Sequence, residues 1–350
     1  MRTFVSIQYL RGLAALSVLL YHTRLEVAPP GPSEPFHLYG FAFGVDIFFV
    51  VSGFIMWTTT QGARQSPLGF LRLRIVRIVP LYWLALALYL AVLWLQAGDG
   101  PDQLPRPDEV VKAYLFIPYI DSLTGLNSPY YTLGWTLNYE MFFYLVFAGA
   151  LVCASNAVRF AAVAAILTGL VLLRPVVGAD DPILFRITSP LLLEFLAGMA
   201  IAAALRRGFA LPAPAALLAL ALAFAFMVLL SSGHIDRWPR AVYFGVPATL
   251  IVLGAVSLED RLARWPVSPF LLLGDASYSL YLSHGIVLKL VFACLAGSAL
   301  SHPLAAFLGV LALELALGVA CYRRIEQPML RRLRGRRAPS RQPLAAPVTV

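Results

Sequence analysis

Charge is what this sequence has least of. Asp, Glu, Lys and Arg make up 13% of its 350 residues and hydrophobic residues 60%, where soluble domains carry about 25% and about 45–50%. That shortage excludes an ordinary soluble enzyme, and the hydrophobic excess excludes an intrinsically disordered chain. Cysteine is scarce as well. Cys153, Cys294 and Cys321 form an odd set scattered through apolar runs, which gives neither a disulfide framework nor a metal knuckle. His and Cys never approach ligand spacing, so no metal is expected. A Walker A loop, a GxSxG elbow and a dinucleotide fingerprint are also missing.

What the sequence does have is long apolar runs. Ten follow one another, at 5–22, 39–59, 78–96, 132–153, 157–173, 186–205, 211–230, 241–258, 270–296 and 303–322. About 20 apolar residues cross a bilayer as a helix. The expected fold is therefore all-α, a polytopic transmembrane bundle of about ten spans. Residues 1–330 form the membrane domain, and 331–350 form a basic, Pro-rich, disordered cytoplasmic tail lying against anionic headgroups. The first run is interrupted by Arg11 and lacks a small-residue cleavage site before Thr23, which argues against a signal peptide. Residues 97–131, with Asp99, Pro101, Asp102, Pro105, Pro107, Asp108 and Asp121, suit an aqueous outer loop. With the N-terminus inside, ten spans leave both termini cytoplasmic. The inner side then holds 19 of the 27 basic residues and the outer side 7, with Lys289 inside a span. This is the asymmetry of the positive-inside rule. The net charge of +9 thus follows from topology and calls for no nucleic-acid partner.

An ionisable group at mid-bilayer costs at least about 2.5–3.5 kcal/mol, so each one is a functional candidate. The set is His22, Asp46, Glu140, Glu194, Asp275, His284, Lys289 and Glu314. His22 closes the first run and Asp46 opens the second, both toward the outer side. A carboxylate beside an imidazole fixes its tautomer and frees the other nitrogen to take a proton from a hydroxyl. The same positions also suit an interfacial histidine and a hydrated helix start. Arg11 lies three helical turns before His22, about 16 Å along the axis and on nearly the same face. Arg72, Arg74 and Arg77 lie among apolar residues on the inner side, with Pro80 suited to the first turn of the third span. They can hold the phosphates of a nucleotide-bearing donor or serve as topological anchors. Thr136 and Glu140 share a helix face, with Tyr144 a turn further on. Ser277, Tyr281 and His284 form a stripe that must face the bundle interior. Glu326, just after Arg323 and Arg324, fits a terminal salt-bridge cluster.

Taken in order, these segments resemble the acyltransferase-3 family of integral membrane acyltransferases, over roughly residues 5–330. The stretches that carry the resemblance are Ile7-Gln8-Tyr9-Leu10-Arg11-Gly12 running to Tyr21-His22, Gly44-Val45-Asp46 to Ser52-Gly53-Phe54, Arg72 to Tyr82, Trp135 to Glu140, Ser277 to His284, and Glu326-Gln327-Pro328. The opening looks most like the exopolysaccharide-acetylating branch. The resemblance implies acyl transfer from cytosolic acyl-CoA, usually acetyl-CoA, to a hydroxyl of a cell-surface polysaccharide or its lipid-linked precursor. The setting it implies is a bacterial inner membrane beside polysaccharide-synthesis partners. His22 matches the family's catalytic histidine and Asp46 its essential aspartate. Arg72, Arg74 and Arg77 match its donor-binding basic motif, and Arg11, Glu140, Tyr281 and Glu326 match recurrent supporting positions. Some relatives carry a further hydrolase-like domain; here the transfer step is expected in the membrane domain or a separate partner.

Two readings compete. Intramembrane Asp, Glu and His also make the proton relays of a proton-coupled secondary transporter, though paired broken spans and an inverted repeat are not evident. The polar stripes also suit an assembly factor of an export complex, where they serve packing alone.

Overall fold

The computed structural model describes residues 4–27, 39–61, 65–97, 104–177, 180–231, 239–295 and 303–334, and every regular element among them is helical. The long helices are α1 (Val5–Val27), α2 (Gly44–Thr60), α3 (Pro67–Gln96), α5 (Gly134–Ala150), α6 (Asn156–Val177), α8 (Leu192–Arg206), α9 (Ala213–Ser231), α11 (Gly245–Ser257), α13 (Ser268–Leu295) and α14 (Pro303–Cys321). Each falls on one of the ten apolar runs. Short helices α4 (Pro107–Tyr114), α7 (Pro182–Ile187), α10 (Arg240–Tyr243), α12 (Glu259–Leu262) and α15 (Gln327–Leu333) punctuate them. Among the described residues, seven segments are long and apolar enough to cross a membrane, and Ala213–Met227 is a shorter apolar helix. The chain is a multi-pass membrane protein with a polytopic helical bundle.

Backbone contacts at glycine set the two crossings that matter. A Cβ on Gly53 would lie 1.9 Å from the Phe195 carbonyl oxygen, and one on Gly198 would lie 1.9 Å from that of Val50. Helices α2 and α8 therefore touch backbone to backbone, the close approach that small residues permit in membranes. Gly274 does the same for α13 against α1, its missing Cβ falling 2.1 Å from the Gln8 carbonyl oxygen. These two helices run parallel from that crossing, which brings Arg11 beside Ser277 and His22 beside His284.

Three local expectations are revised. Pro80 lies inside α3, which starts earlier: Ser66 caps it by accepting from the Gly69 N–H, with Pro67 at the first helical position. The arginines at 72, 74 and 77 thus belong to the same helix as the third apolar run. The described part of the 97–131 segment is packed protein: Tyr119, Tyr130 and Tyr131 are buried there, and buried Glu109 accepts from the Ser122 N–H and hydroxyl. Residues 331–334 extend α15 and its closing turn. Residues 335–350, which make up the rest of the expected tail, lie outside the described residues, as do 98–103 with Asp99, Pro101 and Asp102.

Between α14 and α15 the helix widens into a π turn, Tyr322–Glu326. Pro328 explains it: the ring has no N–H for the Arg324 carbonyl and clashes with it in a regular helix. The wider turn carries Glu326 into the bundle, where it is fully buried.

Candidate active site

Two cavities lie back to back in the bundle. The inner one, of about 250 Å³, is walled by Arg11, Arg74, Arg77 and Arg334, with Glu140 and Tyr281 among its other lining groups. The outer one, of about 750 Å³, is walled by His22, His284, Glu26, Lys289, Tyr89 and Tyr131 among others. A single layer divides them. The Tyr281 hydroxyl donates to the Leu133 carbonyl at 3.0 Å and shares a 2.9 Å hydrogen bond with the Thr136 hydroxyl. Thr136 faces the inner cavity and Leu133 the outer.

Basic side chains dominate the inner cavity. Arg77 pairs with Glu326, whose second oxygen accepts from the Ser279 hydroxyl, and its guanidinium stacks 5.7 Å from the Tyr278 ring centre. Arg74 lies over Phe70, and its buried Nε has no hydrogen-bond partner among the described residues. Arg11 donates to Ser277 at 3.0 Å and to Gln8 at 3.2 Å. Glu140 accepts from the Tyr144 hydroxyl and, at 3.2 Å, from Ser52. Four guanidinium groups around one small cavity repel each other, and a bound polyanion relieves that repulsion. Arg72 is exposed and lines no part of this cavity. Helical geometry explains why. Residues 74 and 77 share a face, and 72 projects from roughly the opposite side. In its place stands Arg334, beyond the last long helix, which the sequence offered only as part of a basic tail.

His22 and Asp46 do not meet. Gly44, at the start of α2, packs against Ala14 and Ser17 of α1. Asp46 therefore enters below His22, which lies five residues beyond Ser17, about 7.5 Å along the helix. Both Asp46 oxygens are taken by Arg240, at 2.7 and 3.3 Å, and Arg240 also donates to the Ala42 carbonyl. Buried Glu194 adjoins the same pair. The expected carboxylate–imidazole contact is replaced by one between imidazoles. His22 Nδ1 lies 3.2 Å from His284 Nε2, with the rings 5.1 Å apart and inclined by 26°. Among the described residues, no three His, Cys, Asp or Glu side chains group to hold a metal.

This arrangement can receive an anionic ligand from one end and offer an imidazole at the other. The acyltransferase domain family matches residues 4–323. The chain belongs to the acyltransferase-3 family. It is an acyltransferase, and 38% of its residues over 298 positions are identical to those of the exopolysaccharide production protein ExoZ of Rhizobium meliloti, covering 85% of this chain and 92% of that one. No solved structure matches it. Within this acyltransferase the residues that match the family's site positions, Arg72 apart, fall into three groups. Arg11, Arg74, Arg77, Glu140 and Tyr281 line the inner cavity with Glu326 behind it, His22 lines the outer one, and Asp46 lines neither. Sequence reasoning missed Arg240, which looked like an ordinary outer-loop charge. It also missed that His284, recognisable as part of a polar stripe, faces His22.

Proposed function

We propose that this acyltransferase moves an acyl group, acetyl in the first instance, from cytosolic acyl-CoA to a hydroxyl of an exopolysaccharide or its lipid-linked precursor in a bacterial inner membrane. The observation that carries the reading is the pair of cavities divided at Tyr281, with arginines on one side and an imidazole on the other. The relative's role in exopolysaccharide production supports a glycan acceptor and polysaccharide-synthesis partners.

In this reading Arg74, Arg77 and Arg334 hold the donor's phosphates, and the pantetheine arm extends past Arg11 and Glu140 toward Tyr281. The acceptor sugar occupies the outer cavity, where Tyr89 and Tyr131 offer apolar ring faces. His22 takes the hydroxyl proton at Nε2 while the hydroxyl oxygen bonds to the acyl carbon. The carbon–sulfur bond then opens, the electron pair stays on sulfur, and the proton held by His22 passes to the thiolate, which leaves free CoA and a neutral His22. General-base action is worth about 10²–10⁴-fold, and placing donor and acceptor together supplies much of the rest. Asp46 acts at a distance in this scheme, by holding Arg240 and the entry of α2.

The test follows radiolabel from acetyl-CoA in membranes that contain the protein and its polysaccharide. Label is expected in polysaccharide with the wild type and absent with His22→Ala at equal protein level. Undiminished labelling by His22→Ala contradicts the proposed base.

A further inference from the structure

The His22–His284 contact goes further, given the reading of His22 as base. We propose that His284 is its positioning residue, fixing the tautomer of His22 and holding the charge that forms when His22 takes a proton. His284 Nδ1 lies 3.3 Å from the Leu280 carbonyl one turn back. A carbonyl only accepts, so Nδ1 carries the hydrogen. A neutral imidazole has one donor and one acceptor nitrogen, which makes His284 Nε2 an acceptor. Its partner at 3.2 Å, His22 Nδ1, is then the donor. The lone pair of His22 is left on Nε2, in a residue that lines the outer cavity. His22 also bonds to the Val18 carbonyl one turn back on α1, so the backbone of its own helix and His284 act together on the ring.

When the acceptor hydroxyl gives its proton to His22 Nε2, both ring nitrogens of His22 carry hydrogen. The Nδ1–H bond to His284 becomes charge-assisted, about twice the strength of a neutral one. His284 is 1% exposed, so its ring is held in place against His22 by the packing around it. A neutral imidazole here does the orienting that a carboxylate performs in soluble triads, without adding a permanent charge to the membrane interior.

The experiment uses full-length protein in nanodiscs, with ¹⁵N-labelled histidine, and NMR coupling across the N–H···N bond. Coupling between His22 Nδ1 and His284 Nε2 is expected. In membranes, His284→Phe is expected to lower kcat on the order of 10²-fold, with KM for acetyl-CoA held within about twofold. His284→Gln, whose amide oxygen accepts the same hydrogen, is expected to keep kcat within about tenfold of wild type. Absence of the coupling overturns the proposal, and so does an equal loss in both variants or a loss expressed in KM. A fully active His22→Ala enzyme overturns the base reading instead, and the coupling is measured independently of it.

Discussion

Arg77 on α3 and Glu326 in the π turn after α14 form an ion pair across 249 residues of sequence, with Glu326 fully buried and Arg77 at the cavity wall. The pair ties the π turn after α14 to the wall of the arginine-lined cavity. Removing Glu326 leaves the Arg77 charge unpaired at the cavity wall, a smaller loss than the about 3–5 kcal/mol of fully enclosed pairs. Glu326→Ala is therefore expected to lower the midpoint of thermal unfolding in detergent markedly. Glu326→Gln, which still accepts from Arg77, is expected to lower it less. Equal midpoints for wild type and Glu326→Ala count against this role.

The arginines of α3 separate by face. Arg74→Gln and Arg334→Gln are each expected to raise KM for acetyl-CoA about 10–100-fold, the worth of one hydrogen bond to a charged group. KM for acetyl-pantetheine, which lacks the nucleotide, is expected to stay put. Arg72→Gln, on the exposed side, is expected to change neither. Steady-state kinetics with both donors decides it, and an effect of Arg72 equal to that of Arg74 contradicts the assignment.

The α2–α8 crossing leaves no room for a side chain. Gly53→Val and Gly198→Val are expected to abolish recovery of folded protein, because each Cβ meets a backbone carbonyl. Gly149→Ala on α5, where nothing lies within 4 Å of the added atom, is expected to be neutral or slightly stabilising. Monodispersity on size exclusion measures all three. A folded, monodisperse Gly53→Val protein contradicts the packing.

Asp46 and Arg240 are expected to act as one unit. Asp46→Asn and Arg240→Gln should each reduce both thermal stability and activity, and the double variant should lose far less than the sum. Additive losses show that Asp46 works through something other than Arg240.

The sequence exposes some of this and hides the rest, for physical reasons. The ten helices are legible because bilayer length is a one-dimensional property, visible as runs of about 20 apolar residues. Arg11, Arg74, Arg77, Glu140 and Tyr281 are legible because polar groups stand out against such runs. The partner of His22 is not legible. It depends on the depth at which Gly44 packs against α1 and on the close approach at Gly274, both set by tertiary crossing. Arg240 lies 194 residues from the carboxylate it binds. The polar composition of residues 104–131 resembles that of an exposed loop, yet the Tyr119 and Tyr131 hydroxyls and Glu109 find partners inside the fold.

Transfer through the bundle is tested most directly by sidedness. Sealed inverted vesicles, with their cytosolic face outward, are given labelled acetyl-CoA in the medium while the glycan acceptor is enclosed. The cavities divided at Tyr281 predict labelled glycan inside, unesterified CoA outside, and no acetyl-CoA in the lumen. Labelling of enclosed glycan that begins only after detergent opens the vesicles contradicts passage of the acyl group across the protein.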